Sequence, residues 1–328
     1  MMVDNTIKTK VIGVDINVAQ TTLAVIDIRG NILARDVFPT SDYPLISSFV
    51  EALSEHIVLL AEKSGGYEGI RSVGISAPSA NFLTGCLENA PNLPWKGVIP
   101  LSAMLRDRIG LAVALGNDAH ITALGEQAFG LAHGMENFIV ISLGHGGVGS
   151  SFFSNGRDHL GAHGFAGEVG HSCMVDGGRQ CTCGLKGCLE EYVSDRGIVQ
   201  TARELMAASD QPSLLRQLPE LTTAAIGECM DKGDALAAEV WSRTGLMLGI
   251  VLANYATIIN PDAIILTGEL TRTYRWMMKP IMESFDEHVF RNIRNRVKLV
   301  TSDINDEERN VLGASVLAWK VKEYSLFI

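Results

Sequence analysis

The chain has 328 residues, of which 47% are hydrophobic and 20% are charged, and these proportions exclude a disordered or fibrous protein. Its length favours two domains with a cleft between them, where a ligand could bind. The formal net charge of -10, without a lysine or arginine cluster, argues against nucleic acid as a partner, because another polyanion would be repelled.

The first elements in chain order predict a β-meander that leads into alternating helices and strands. Strands are predicted at residues 11–15 and 22–28, and a tight turn at 29–31 leads into a third strand. The elements predicted next are a helix at 43–64, a buried strand at 72–76, a helix at 101–110 and a short strand at 113–115. The irregular stretch before residue 101 is long enough to suggest a functional loop.

The second half also begins with a strand, at residues 137–143, which runs into a glycine-rich segment at 144–149. Helices are predicted to dominate from 190 to 259, followed by a strand at 261–266 and a closing helix from Glu307. Two related α/β domains facing one cleft are therefore expected. Their predicted bounds are 1–118, joined by the closing helix 307–328, and 119–306.

Two features predict a cytoplasmic protein without a membrane partner. The apolar run at residues 11–14 ends at Asp15 and is too short for the core of a signal peptide. The longest uncharged stretch, at 244–261, contains polar residues such as Asn254, which favours a buried helix over a membrane span.

The strongest motif is a set of metal-ligand residues at close spacing: His171, Cys181, Cys183 and Cys188. Three thiolates and one imidazole complete the tetrahedral shell of a structural zinc, Zn2+, and the alternative is three unligated thiols on a hairpin. A catalytic zinc is disfavoured because no position is left for water, and the acidic chain disfavours a zinc finger for nucleic acid.

Five segments together resemble the ROK family (repressors, open reading frames and sugar kinases), most closely its bacterial glucokinase-like members. They are Ala-Pro-Asn-Leu-Pro-Trp at 90–95, Asn-Asp-Ala at 117–119, Gly-Phe-Ala-Gly-Glu-Val-Gly-His at 164–171, the cysteine cluster with Leu-Glu at 189–190, and Asn-Pro-Asp at 260–262. The resemblance implies an actin-like, hexokinase-type fold of two ribonuclease-H-like domains, in which the last helix packs back on the first domain. It also implies a homodimer.

The same resemblance assigns roles at the matching positions. The residues implied to bind the sugar hydroxyls are Asn92, Asn117, Asp118, Glu168, His171 and Glu190, with Asp118 as the catalytic base. The residues implied to hold ATP and Mg2+ are Asp15, Gly144, Gly146, Gly147, Gly149 and Gly268.

Elementary chemistry agrees, because hexose hydroxyls both donate and accept hydrogen bonds, and phosphoryl transfer needs a carboxylate for the alcohol proton. His171 could bind zinc through one ring nitrogen and a sugar oxygen through the other. The alternatives are a helix N-cap for Asp118 and solvated surface carboxylates for Glu168 and Glu190.

The phosphate-binding loops depart from the family pattern. The first usually reads Asp-x-Gly-Gly-Thr, whereas residues 15–20 read Asp-Ile-Asn-Val-Ala-Gln, so Asn17, Val18 and Ala19 stand where both glycines and the threonine are expected. In the second loop His145 replaces threonine, and Glu269 replaces the second glycine of a later Gly-Gly turn, which adds a carboxylate near a polyanion. Ser79-Ala80 replaces residues near the sugar that often include glycine, so the hexose is not identified.

Three functions follow. The first is an ATP- and Mg2+-dependent kinase that phosphorylates the 6-hydroxyl of glucose or a related hexose, with Asp118 as base. The second is a sugar-binding sensor or regulator with weak or lost kinase activity, suggested by the changed phosphate loops. The third, a DNA-binding repressor, is disfavoured because the first core strand begins near residue 11, which leaves no room for a preceding helix-turn-helix.

Overall fold

The computed structural model describes residues 8–144 and 146–321 and has an α/β architecture with mixed sheets. The predicted loop residue His145, residues 1–7 and the end of the predicted closing helix, 322–328, lie outside the described residues. The described chain divides into two compact units. Unit 1 lies within Met1–His133, Gly161–Phe165 and Asp303–Ile328, and unit 2 comprises Gly134–Leu160 and Ala166–Ser302.

The described strands are β1 (Lys10–Ile16), β2 (Gln20–Asp27), β3 (Ile32–Pro39), β4 (Ile70–Ala77), β5 (Ala80–Asn81), β6 (Cys86–Glu88), β7 (Val98–Ile99), β8 (Ala112–Asn117), β9 (Phe138–Gly144), β10 (Gly147–Ser154), β11 (Arg157–Asp158), β12 (Ala263–Thr267) and β13 (Lys298–Thr301). The described α-helices are α1 (Ile46–Lys63), α2 (Leu101–Ile109), α3 (Asp118–Phe129), α4 (Glu190–Val193), α5 (Asp195–Ala208), α6 (Thr223–Asp231), α7 (Ala235–Ile259), α8 (Tyr274–His288) and α9 (Arg309–Lys320).

Unit 1 is built on a sheet with the order β3-β2-β1-β4-β8. The first three strands form the predicted meander, and the Asp27 carboxylate closes the β2–β3 turn by accepting the backbone N–H groups of Arg29 and Asn31, each at 2.9 Å. Strands β1, β4 and β8 run parallel. Within the stretch predicted to be irregular, β5, β6 and β7 pair as a small sheet whose strands are too short to show a period.

Helix α9 packs directly on β1 and β4 because two glycines leave room for its backbone. Gly13 and Gly74 are paired neighbours in the β1–β4 register. A Cβ on Gly13 would lie 2.1 Å from the carbonyl oxygen of Val311, and one on Gly74 would lie 2.0 Å from that of Ala314. Helix α3 also packs on α9, so unit 1 extends past the predicted boundary at Asp118 and includes all of α3.

Unit 2 repeats the same winding, with the order β11-β10-β9-β12-β13 and strands β9, β12 and β13 parallel. Its core includes α7 and α8, where Trp241 and Trp276 stack with ring centroids 5.4 Å apart. Helix α8 and strand β13 were not predicted. Pro280 lies inside α8 and resembles a helix breaker in the sequence, and β13 is only four residues long.

Helix α7 is long and apolar enough to cross a membrane by length and composition alone. In the structure, however, 56% of its apolar window is buried inside the fold, and Gly245 brings it close to Pro280 of α8. The prediction of a buried helix in the uncharged stretch 244–261 is confirmed as far as Ile259, where α7 ends.

Candidate active site

Three parallel strands of unit 1 bring polar residues to one edge of the sheet. In the ladder Asp15 of β1 is paired with Ser76 of β4, and Ala77 is paired with Asn117, the last residue of β8. Asp118 follows directly. The carboxyl ends of parallel strands are the usual ligand-binding edge of such sheets, and the predicted base and the predicted Mg2+-organising carboxylate both lie there.

Asp118 is not the N-cap of α3, so the alternative role considered for it is wrong. The N-cap of α3 is Asn117, whose side-chain oxygen accepts the backbone N–H of Ala119 at 3.0 Å. Asp118 is the first helical residue, is exposed, and accepts the same N–H at 2.8 Å. Its carboxylate therefore lies at the positive end of the α3 dipole, which favours negative charge.

The buried environment of Asp15 changes the pKa of its carboxyl group. Burial raises the pKa of Asp15 to about 6, the nearby Ser76 hydroxyl and the Asn310 side chain oppose the rise, and the negative charge of Asp118 adds to it. Asn310 donates to Asp15 Oδ1 at 3.0 Å. Two neighbouring carboxylates and a hydroxyl are oxygen donors of the kind that Mg2+ binds, and a cation there would stabilise the ionised form of Asp15.

The loop between β1 and β2, which is the first predicted phosphate loop, is closed by the side chain of Asn17. Asn17 Oδ1 accepts the backbone N–H groups of Ala19 at 3.0 Å and Gln20 at 2.9 Å. These N–H groups belong to the threonine position of the family pattern and to the residue after it, directly beyond the two glycine positions. The asparagine oxygen thus occupies donors that a phosphate would otherwise use.

Unit 2 presents its glycines at the corresponding sheet edge. Gly144 ends β9, and Gly268 follows the neighbouring parallel strand β12. Gly268 has a φ of 99°, and a Cβ there would lie 2.3 Å from the Leu143 carbonyl oxygen, so the position requires glycine. The Glu269 carboxylate lies against Gly144, since a Cβ on Gly144 would be 2.8 Å from Glu269 Oε2. A negative charge therefore stands beside the predicted nucleotide glycines.

Glu190 is buried and hydrogen-bonded, so it is not a solvated surface carboxylate. It is the first residue of α4, and its Oε2 accepts the backbone N–H of Val148 at 3.1 Å. Arg196 pairs with Oε1. Gly147, with a φ of 127°, leaves space for this carboxylate, because a Cβ there would lie 2.1 Å from Glu190 Oε2.

The predicted metal ligands come together as a compact group in which all four ligand atoms lie within 4.8 Å of one another: His171, Cys181, Cys183 and Cys188. The Cys183 and Cys188 sulfurs are 3.7 Å apart, and Cys181 Sγ is 3.8 Å from His171 Nδ1. A zinc ion about 2.3 Å from each sulfur would place tetrahedral ligands about 3.8 Å apart. The ligand types and these two separations therefore fit a zinc ion.

The remaining predicted sugar ligands are exposed: Asn92, in the loop before β7, and Glu168, which precedes a 3-10 turn ending at His171. His171 Nδ1 faces the cysteines, which leaves Nε2 for other contacts. Ser79 has a φ of 55°, so this position keeps the left-handed conformation usual for glycine although the side chain has changed.

Three side chains make contacts at the candidate site that were not predicted: Asn17, Asn310 and Arg196. An asparagine between two strands is a recognisable turn signal and could have suggested the Asn17 closure. Asn310 reaches Asp15 across 295 residues of chain, and Arg196 reaches Glu190 only because the break at Ser194 separates α4 from α5. No local pattern in the sequence encodes the Asn310 contact, whereas the Arg196 contact depends on where Ser194 ends one helix and caps the next.

Known proteins resemble the chain over most of its length. A glucokinase from Halalkalibacterium halodurans is 28% identical over 95% of this chain and 94% of its own. The DNA-binding transcriptional dual regulator NagC of Escherichia coli is 26% identical over 93% of this chain and 74% of its own. A Streptomyces griseus ROK family glucokinase, solved in complex with glucose and AMPPNP, has a TM-score of 0.77 and 28% identity, covering 95% of this chain and 100% of that one.

These relatives include both a kinase and a regulator, so they support the sugar-kinase resemblance without fixing the activity. The hexokinase-type fold expected from the resemblance is confirmed by the solved relatives. The model of the ROK family matches residues 11–321, and the chain belongs to the ROK family.

Proposed function

We propose that the chain is a cytoplasmic, ATP- and Mg2+-dependent hexose kinase that transfers a phosphoryl group to the 6-hydroxyl of glucose or a close relative. The observation that carries this proposal is that Asp15 and Asp118 lie at one edge of the unit 1 sheet, close enough for the charge of Asp118 to act on Asp15. The glucokinase relatives support the same chemistry.

In this proposal Asp118 accepts the proton of the 6-hydroxyl as the oxygen attacks the γ-phosphorus of ATP, and ADP leaves. Its exposure and its place at the start of α3 suit a group that must meet a substrate and be ionised before it accepts the proton. Asp15 would orient Mg2+, which neutralises phosphate charge when bound. The proposed sugar ligands are Asn92, Asn117, Asp118, Glu168, His171 and Glu190, and the proposed nucleotide residues are Gly144, Gly146, Gly147, Gly149 and Gly268.

We assign the cysteine cluster to a structural zinc. Four protein ligands would complete its shell, so the metal would shape the segment from His171 to Glu190 and would take no part in the chemistry. Because His171 also belongs to the proposed sugar ligands, loss of the metal should weaken hexose binding.

Substitution of the base tests the kinase. Asp118→Asn should lower kcat by at least about a thousandfold while the Kd for glucose changes less than about threefold, since the amide cannot accept the proton. Phosphate transfer from ATP to glucose is measured in a coupled assay, and glucose binding by calorimetry. A variant with wild-type kcat would remove Asp118 as base.

A sugar-binding regulator with little kinase activity is the second candidate. It is favoured by the Asn17 side chain, which occupies two backbone donors of the first phosphate loop, and by Glu269 beside Gly144. The NagC relative shows that regulators occur among the similar proteins. Glucose binding with no detectable binding of AMPPNP and Mg2+ would favour the regulator. The homodimer stays a prediction that sedimentation can test.

A further inference from the structure

Arg196 holds Glu190 from the surface of unit 2. Its guanidinium lies in the first turn of α5 and donates to the carboxylates of both Glu190 and Glu191, the latter at 2.7 Å. The Arg196 side chain is 43% exposed, whereas that of Glu190 is 9% exposed. A partly exposed guanidinium therefore forms an ion pair with a buried carboxylate.

The Glu190 carboxylate is fixed from a second side by the glycine-rich segment. Oε1 faces Arg196, and Oε2 accepts the backbone N–H of Val148. An ionised carboxylate has about four acceptor positions, so each oxygen keeps a position for a further donor. Two fixed donors of this kind leave the carboxylate little freedom to rotate, and its remaining acceptor positions point in set directions.

We propose that Arg196 is a positioning residue for hexose binding, which it controls by holding Glu190 in the orientation that Val148 also fixes. The inference rests on the proposed role of Glu190 as a sugar ligand. Without the guanidinium, a buried charge loses its counterion, and such a carboxylate turns toward water or other donors. Hexose affinity then falls, although Arg196 itself need not touch the sugar.

The same geometry links the sugar ligand to the glycine-rich segment. A hexose hydroxyl that donates to Glu190 takes one of the remaining acceptor positions and leaves the hydrogen bond from the Val148 N–H in place. Glucose binding to the wild type should therefore not accelerate hydrogen exchange of the Val148 amide, whereas loss of Arg196, which frees the carboxylate to rotate, should accelerate it. With unfolding and zinc content unchanged, faster exchange at Val148 together with weaker hexose binding distinguishes a positioning role from a structural one.

The test compares Arg196→Gln and Arg196→Lys with the control Arg243→Gln. Arg243 lies on α7 of the same unit and forms an exposed pair with Glu239 at 2.7 Å, so the control removes an equal charge from a surface ion pair. Calorimetry with glucose, mannose and N-acetylglucosamine gives Kd, and exchange at Val148, thermal unfolding and zinc content are measured in parallel. Where phosphate transfer occurs, kcat and KM are added.

We expect Arg196→Gln to raise the Kd for the bound hexose tenfold or more, with kcat at saturating hexose within about twofold of wild type. Arg196→Lys should recover part of the affinity, because the ammonium keeps the positive charge and one nitrogen, Nη2, makes both contacts in the wild type, whereas the shorter and more flexible side chain holds the carboxylate less firmly. The control should match wild type in Kd and in Val148 exchange.

An unchanged Kd in Arg196→Gln, or an equal rise in the control, would overturn the inference. If neither Arg196 variant keeps a cooperative unfolding transition and wild-type zinc content, Arg196 is a structural residue and the inference also fails. Hexose binding with the expected changes but without phosphate transfer would reject only the kinase, whereas a wild-type protein that binds no hexose would overturn both.

Discussion

Replacing Asp15 with asparagine should stabilise the protein at neutral pH, with an effect that depends on pH. Burial raises the pKa of Asp15 from 3.8 to about 6, so the folded state binds this proton more tightly than the unfolded state does. The associated loss of stability is absent below pH 3.8, grows as the pH rises, and is complete above pH 6. At about 1.4 kcal/mol per pKa unit the full loss is about 3 kcal/mol.

The asparagine should avoid this loss and keep an oxygen to accept the bond from Asn310. Relative to the variant, the wild type should therefore lose about 1.4 kcal/mol of unfolding free energy between pH 5 and pH 8. Urea unfolding followed by tryptophan fluorescence at both pH values measures the difference between the two proteins. A difference that does not change with pH, or a variant less stable than wild type at pH 8, would refute the reasoning.

Three further substitutions test other parts of the structure. Asn17→Ala frees the N–H groups of the β1–β2 loop and should lower the Kd for AMPPNP with Mg2+ severalfold in calorimetry; an unchanged or weaker affinity would contradict the account of this loop. Cys183→Ser should release zinc, as measured by atomic absorption, and weaken glucose binding; wild-type protein without zinc would disprove the metal site. Gly74→Ala should lower the free energy of unfolding by about 1–3 kcal/mol or more, because its Cβ overpacks against α9. In the control Gly69→Ala the added Cβ meets no atom within 4 Å, so the loss should be less than about 1 kcal/mol. Equal losses in urea unfolding would refute the close packing.

Local chemistry made much of the fold predictable. The β2–β3 turn, the buried run of β12 and the cysteine spacing each depend on residues close together in sequence, and the structure contains the corresponding turn, strand and ligand group. Helix α8 was not predicted; Pro280 within it is a residue type that usually interrupts helices, and packing against α7 maintains the helix here. The alternative of Asp118 as the N-cap was wrong by one residue, since Asn117 is the N-cap of α3.

The candidate site was less predictable where it depends on contacts between distant segments. Family resemblance identified Asp15 and Glu190, but the Asn310 side chain that donates to Asp15 comes from 295 residues further along the chain. Burial of a carboxylate is decided by the assembled core and not by its neighbours in sequence. The same limit applies to Glu269, whose position against Gly144 depends on the pairing of β9 with β12.

The arrangement of α9 has a consequence for biosynthesis. Val311 and Leu312 of this helix complete a cluster with Val11 and Ile26 at the other end of the chain. A ribosome must therefore translate past Leu312 before unit 1 can bury that apolar surface, whereas unit 2 is encoded by the intervening residues and can finish first. Nascent chains should consequently depend on chaperones that shield β1 and β2 until α9 emerges.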